Sequence, residues 1–321
     1  MEHREARLSK IGKITRKEFL KRSTAGVLGC SIMGPWQGPF GPPAKGSPAA
    51  GSRTLGRTGI KVSPLGFGAS RTMERALLKT ALDAGLNFFD TGRGYFNGQN
   101  EVMIGELIKG IRNSVVVQTK VRINRQGGDD APAASPMFPR VGEIMNNSLN
   151  QSLKALDSDY VDVLLLHGVT SPAVLRNEEV VAFLERAKKS GRIRACGFSA
   201  HANQVELLRA AVEIGLYDVA MIAYNHRGAY KHSNSGRRGE WDKAALDAEL
   251  ERVRKAGMGI VAMKTCSGGP YQPPGESRPS FKAAIQWVVR NGNVQVAAAA
   301  MGNMDEVKEN LQVLSEKPGK D

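Results

Sequence analysis

Three stretches of this chain each carry an apolar run into side chains that can exchange protons: Asn87-Phe88-Phe89-Asp90-Thr91-Gly92-Arg93-Gly94-Tyr95, Val116-Val117-Gln118-Thr119-Lys120 and Leu164-Leu165-Leu166-His167. An acid, a phenol, an amine and an imidazole can work together only if the ends of these runs converge. A closed parallel barrel brings them together, because all its strands finish on one face and residues from distant stretches share its mouth. In such a pocket Tyr95 would donate a proton, acid catalysis typically worth about 10²–10⁴-fold. A free phenol, with a pKa near 10, is a weak acid; a cation such as Lys120 beside it would favour the phenolate. Asp90 would hold that ammonium charged and oriented, and His167 would orient a carbonyl oxygen through a hydrogen bond. Each residue also has an ordinary reading: His167 as a satisfied core histidine, Lys120 as a strand cap, Asp90 as a turn residue, Tyr95 as packing. Their joint occurrence, in order, on consecutive strands is what points to chemistry.

The elements that must position them follow from the hydrophobic pattern. After a hairpin signal at Thr54 to Val62, brief apolar runs alternate with longer amphipathic ones. Strands are expected near 63–68, 86–90, 114–120, 160–167, 193–199, 218–224, 258–264 and 294–301, and helices near 74–84, 100–110, 140–157, 175–190, 202–215, 240–256, 278–291 and 304–315. This alternation means a parallel sheet with crossover helices. Its count predicts an α/β fold, a (β/α)8 TIM barrel with an N-terminal β-hairpin, occupying residues 53–321. Val163 to Leu166 is continuously apolar, as a strand covered on both faces should be. Helix stops such as Lys188-Lys189-Ser190-Gly191 put basic residues in the last turn and glycine beyond it. Two long connections, Arg122 to Arg140 and Asn225 to Gly239, follow strands and are expected to shape the barrel mouth. The second is basic, through Arg227, Lys231, His232, Arg237 and Arg238, which fits either an acidic substrate or a solvated charge run.

The formal net charge of +14 over 321 residues is concentrated in part before residue 23, and only 6% of residues are aromatic, so no nucleic-acid face is expected. Cys30, Cys196 and Cys266 form no C-x-x-C pair, and of five histidines only His167 clearly ends a strand, so no metal site is expected. Residues 1–52 read as an address and a disordered Pro/Gly-rich linker. Thr15-Arg16-Lys17-Glu18-Phe19-Leu20-Lys21 precedes a stretch, Ala25 to Met33, too short to span a bilayer. It resembles a twin-arginine signal with Lys17 in place of the second arginine. That implies export to the periplasm by the twin-arginine machinery; the alternative is a basic arm on a cytoplasmic protein.

From Arg53 to Leu314 the chain resembles the aldo/keto reductase family. Leu55-Gly56-Arg57-Thr58-Gly59-Ile60-Lys61-Val62 with the run to Gly68 is similar to its opening hairpin and first strand. Phe89-Asp90-Thr91 through Tyr95, Gln118-Thr119-Lys120 and Leu166-His167 resemble its acid-and-tyrosine, lysine and histidine motifs. The resemblance implies a barrel that binds NADP(H) or NAD(H) without a Rossmann domain, with Asp90, Tyr95, Lys120 and His167 catalytic. It places Gly68, Ser70, Asp90, Ser199, Met263, Lys264, Gly302, Asn303, Glu309 and Asn310 against the cofactor. The partner would be a small carbonyl compound or alcohol. Ala200, Met221 and Met263-Lys264 depart from the family's nicotinamide contacts, and Glu306 stands where NADP-selective members often carry arginine. A cofactor-sensing or regulatory barrel with little turnover is the alternative these departures keep open.

Overall fold

The computed structural model describes residues 51–121, 123, 140–231 and 236–315. The export signal expected before residue 51, and most of the connection from Arg122 to Arg140, lie outside the described residues. The chain divides into two units, Met1–Pro42 and Pro43–Asp321, and every described residue belongs to the second.

Eight parallel strands close into a barrel: β3 (Leu65–Gly68), β4 (Phe88–Asp90), β5 (Val116–Val121), β6 (Val161–Leu166), β7 (Ile193–Ala200), β8 (Val219–Ala223), β11 (Gly259–Met263) and β12 (Val296–Ala300), the last pairing with the first. Around them run α1 (Arg75–Asp83), α2 (Gln99–Ile108), α3 (Val141–Ala155), α4 (Pro172–Leu175), α5 (Glu178–Lys189), α6 (Gln204–Ile214), α7 (Lys243–Lys255), α8 (Phe281–Arg290) and α9 (Met304–Ser315). All eight expected strands are present. Two helices start later than the pattern predicted because a side chain caps them. Asp242 accepts from Ala245 N at 2.9 Å, and Ser280 accepts from Ala283 N at 3.0 Å, so α7 and α8 begin just after them. The helix expected at 175–190 is α5, which also starts later because Asn177 caps it by accepting from Val180 N at 3.1 Å, and the one-turn α4 precedes it.

Strand alternation divides the apolar side chains into two cores. Residues such as Phe67, Leu164, Phe198 and Ile260 point outward and pack under the helices. Phe88, Val163, Leu165, Val219, Val261 and Val296 point inward and fill the barrel. Gly66 makes room for two of them, since a Cβ there would come within 2.7 Å of Phe88 and 2.8 Å of Val296. The N-terminal end of the barrel is closed by the hairpin of β1 (Arg53–Thr54) and β2 (Lys61–Val62), whose Leu55, Ile60 and Val62 join the inner core. Arg57 fastens it, bonding Gly215 O at 2.7 Å and Asp218 Oδ1 at 3.3 Å. With that end plugged, the opposite, C-terminal face is left for a site.

The connection from Asn225 to Gly239, expected as a plain loop, contains a second hairpin, β9 (Ala229–Lys231) with β10 (Arg238–Glu240). Asn225 anchors it. Its amide donates to Ala229 O at 2.8 Å and to Lys264 O at 3.0 Å, tying the hairpin to the residue that follows β11.

Candidate active site

Asp90 ends β4 and Lys120 lies near the end of β5, so both side chains point into the barrel at its mouth. Lys120 Nζ lies 2.6 Å from Asp90 Oδ1, 2.7 Å from Thr91 O and 3.1 Å from Tyr95 Oη. Its ammonium also sits 4.7 Å from the centre of the Tyr95 ring. His167, one residue beyond β6, meets the Tyr95 ring edge-on, with ring centres 6.1 Å apart and planes at 78°. All four residues named from sequence therefore line one cleft.

Tyr95 is not on a strand, and its loop is pinned from several sides. Thr91 N donates to Gln118 O at 2.8 Å, and Thr91 Oγ1 donates to Asn100 Oδ1 at 2.7 Å. Asn100 Nδ2 in turn bonds Ala69 O and Thr72 O at 3.1 and 3.0 Å, joining the loops after β3 and β4. Phe96, Asn97 and Gly98 follow Tyr95 with φ of 49°, 54° and 87°, a left-handed run that a loop keeps only when its surroundings over-determine it. Arg93 provides that constraint. Its guanidinium pairs with the buried Glu101 at 2.6 Å and fills the space a Cβ at Gly98 would need. Glu101 also accepts from Thr119 Oγ1 at 2.6 Å, so the clamp is anchored on β5 beside Lys120.

The electrostatics follow from burial. Burial alone would drive the Lys120 ammonium down, but attraction to Asp90 and then to Tyr95 outweighs it, and the lysine sits above its ordinary value. It is a cation at neutral pH. The same contact places that cation 3.1 Å from the Tyr95 hydroxyl. Cys266, which lines the same cleft, is pushed up to about 11, chiefly by burial, and stays a neutral thiol rather than a nucleophile.

The cleft has a volume of about 600 Å³ and runs from the tetrad towards the start of α9. Gly68, Ser70, Asp90, Ser199, Met263, Lys264, Glu309 and Asn310 line it; Gly302 and Asn303 do not. Gly302 N donates to Glu306 Oε2 at 2.7 Å, and Asn303 Oδ1 accepts from Glu306 N at 2.9 Å, so both serve the start of α9. The Ser199 hydroxyl also accepts from Gly168 N at 2.9 Å, which braces the turn behind His167. Lys264 takes a left-handed φ of 59°, its ammonium 5.5 Å from the centre of the Tyr230 ring. The lining suits a dinucleotide: Ala298 and Ala300 present only methyl groups, Met263 offers a soft face for a ring, and Arg71 with the start of α9 offers positive partners. One feature opposes a further phosphate at that end, where Glu306 pairs with Arg71 at 3.2 Å.

Several contributors were given no role from sequence. Gln118 and Glu101 fall in the stretches that carry the family resemblance but had no assigned part; they are buried polar residues touching Asp90 or its neighbours. Arg71, Ala298 and Phe281 line the cleft from loop, strand and helix positions with no chemical signature.

The family model for the aldo/keto reductase family matches residues 64–270, and the chain belongs to that family. It is 25% identical over 303 residues to an L-galactose dehydrogenase of Arabidopsis thaliana, covering 82% of this chain and 88% of that one. Among solved structures, an aldo-keto reductase from Bacillus halodurans in its holo form aligns with a TM-score of 0.65 at 21% identity, covering 84% and 92%. An aldo/keto reductase from Klebsiella pneumoniae in complex with NADP and acetate aligns at 0.59 and 19%, covering 82% and 89%. These two likenesses show the fold.

Proposed function

We propose that the protein is an NAD(P)H-dependent oxidoreductase that reduces aldehydes or ketones to alcohols, or runs the reverse, with Tyr95 as the proton donor. The observation that carries this reading is the contact of Lys120 with both Asp90 and the Tyr95 hydroxyl, at 2.6 and 3.1 Å, inside a cleft large enough for cofactor and substrate. A bound nicotinamide supplies or accepts the hydride; the chain's own residues handle the proton. Tyr95 gives its proton to the carbonyl oxygen, Lys120 stabilises the phenolate that remains, and His167 holds the oxygen in line. Membership of a family that includes an L-galactose dehydrogenase and an NADP-bound reductase supports both the cofactor class and the reversible direction. Met263, Ser199, Glu309 and Asn310 are the residues proposed to hold the dinucleotide. Glu306 would repel a 2′-phosphate, which leaves NADH as a cofactor to compare directly with NADPH.

Titration of the purified protein with NADPH and NADH, followed by a small aldehyde and quinone panel, tests the reading. Binding followed by oxidation of the nucleotide is expected. A second reading, a cofactor-sensing barrel, draws on the Glu306 carboxylate already bound to Gly302 N and Arg71. Tight binding without turnover across the panel would favour it.

Export by the twin-arginine route is proposed on the sequence of residues 15–33 alone. A reporter fused after Ser52 should leave the cytoplasm only when that route is intact, and retention in the cytoplasm would end the proposal.

A further inference from the structure

Beneath the tetrad lies a buried amide that the chemistry above does not use. Gln118 stands opposite Asp90 in the β4–β5 register and two residues before Lys120, so all three side chains face the barrel interior. It is fully buried. Gln118 Nε2 donates to Asp90 Oδ1 at 2.7 Å, the same oxygen that Lys120 Nζ reaches at 2.6 Å, and lies 3.3 Å from Met221 Sδ. Its own carbonyl oxygen, Gln118 Oε1, is buried and has no hydrogen-bond partner among the described residues.

That orphaned oxygen is the informative feature. A buried acceptor without a partner is costly, and inner-core neighbours such as Val163 and Met221 show that an apolar residue belongs at this depth. Turning the amide over would not relieve it, because the carbonyl would then face the Asp90 carboxylate. Among the described residues the one strong bond the side chain makes is to Asp90, so that bond is what the amide is retained for.

We infer that Gln118 is a positioning residue of this site: by sharing Asp90 Oδ1 with the ammonium of Lys120, its amide fixes the carboxylate and limits how much of the lysine's charge that carboxylate neutralises. The inference rests on the reading of Tyr95 as proton donor. With Gln118 in place, one Asp90 oxygen answers to two donors, and more of the Lys120 field reaches the phenol 3.1 Å away. Without it, Asp90 answers to Lys120 alone and the phenol becomes a weaker acid. The other titratable and charged groups lining the cleft sit on separate elements, Arg71 after β3, His167 after β6, His201 after β7, Lys231 on β9, Lys264 and Cys266 after β11, and Glu306 and Glu309 on α9, and a substitution at 118 leaves them in place.

The test is Gln118→Met, close in volume and without the donor, with Gln118→Leu as a second apolar variant that also lacks the donor. Ionisation of Tyr95 is read without turnover, as the ultraviolet difference between each variant and the same variant carrying Tyr95→Phe. Gln118→Met should move that ionisation, and the basic limb of the pH profile, upward by about half to one pH unit, with kcat lowered about tenfold. KM should stay within about twofold, since no substrate-binding group changes. Gln118→Leu, which also lacks the donor, should move both in the same direction, and it carries the test if the methionine variant fails to fold. If both curves stay where the wild type has them, or if KM alone changes, the inference is overturned. Turnover persisting in Tyr95→Phe would instead remove the proton-donor reading, a failure visible without any substitution at Gln118.

Discussion

Replacing Tyr95 with Phe is expected to lower kcat/KM for carbonyl reduction by about 10²–10⁴-fold while leaving the fold and the nucleotide affinity nearly unchanged. That range equals roughly 3–5 kcal/mol of transition-state stabilisation, the scale of one positioned proton donor. The separation of effects follows from the contacts. The hydroxyl touches Lys120 at 3.1 Å, but Lys120 keeps two closer partners in Asp90 and Thr91 O, at 2.6 and 2.7 Å, so its charge remains held. A phenylalanine ring preserves the edge-on packing with His167. Single-turnover reduction with saturating nucleotide, alongside a binding titration, checks both halves. Undiminished reduction would remove Tyr95 from its role. A parallel loss of nucleotide binding would mean that the loop around it had moved.

The tetrad was legible in the sequence because barrel geometry converts a one-dimensional pattern into a shared location. A polar residue that ends an apolar run must stand at one rim, so Asp90, Lys120 and His167 announce themselves by position. Tyr95 follows because a short loop from Asp90 cannot carry it far. The supporting residues have no such signature. Gln118 alternates with Lys120 on one face of β5, and a glutamine in an apolar strand does not reveal that its partner is Asp90 on the neighbouring strand. The Arg93–Glu101 pair depends on the left-handed path through Phe96, Asn97 and Gly98, a conformation fixed by tertiary contacts rather than local preference. The hairpin β9–β10 was hidden for a related reason. Its strands are three residues each, and the basic side chains that mask them look like an ordinary loop.

The roles read onto the cofactor end rest on contacts with a second molecule. Gly302 and Asn303 are placed correctly for the start of α9, yet the helix uses them for its own capping through Glu306. A helix start offers backbone N–H groups to any anion, and an internal carboxylate competes with an external phosphate for the same donors. Sequence pattern locates the donors and is silent on which anion holds them.

Replacing Lys120 with Met should cost more than activity. The wild-type pair is buried, with the lysine side chain 2% exposed and the aspartate 4%, and removing one partner of such a pair is typically worth about 3–5 kcal/mol, because the other charge is left uncompensated. For a barrel of this size that is a fall in Tm on the order of 10 °C. The pH dependence separates this cause from lost packing. In the wild type the folded-state value of Lys120 is raised, so its contribution is fully present below the ordinary lysine value of 10.5 and disappears only as pH climbs through the higher folded value. In the variant the stranded carboxyl of Asp90 prefers its protonated form. The deficit should therefore be smallest near pH 4 and grow as pH rises through the now elevated Asp90 value. Thermal melts of both proteins from pH 4 to 8 read this directly, and a deficit independent of pH would assign it to packing instead. Adding Asp90→Asn removes the stranded charge, and the double variant should regain most of the lost stability. Its carbonyl reduction should stay as low as that of the single variant, because the phenol at 95 still lacks the cation that makes it an acid. Recovery of stability together with activity would show that Lys120 serves the fold and not the proton.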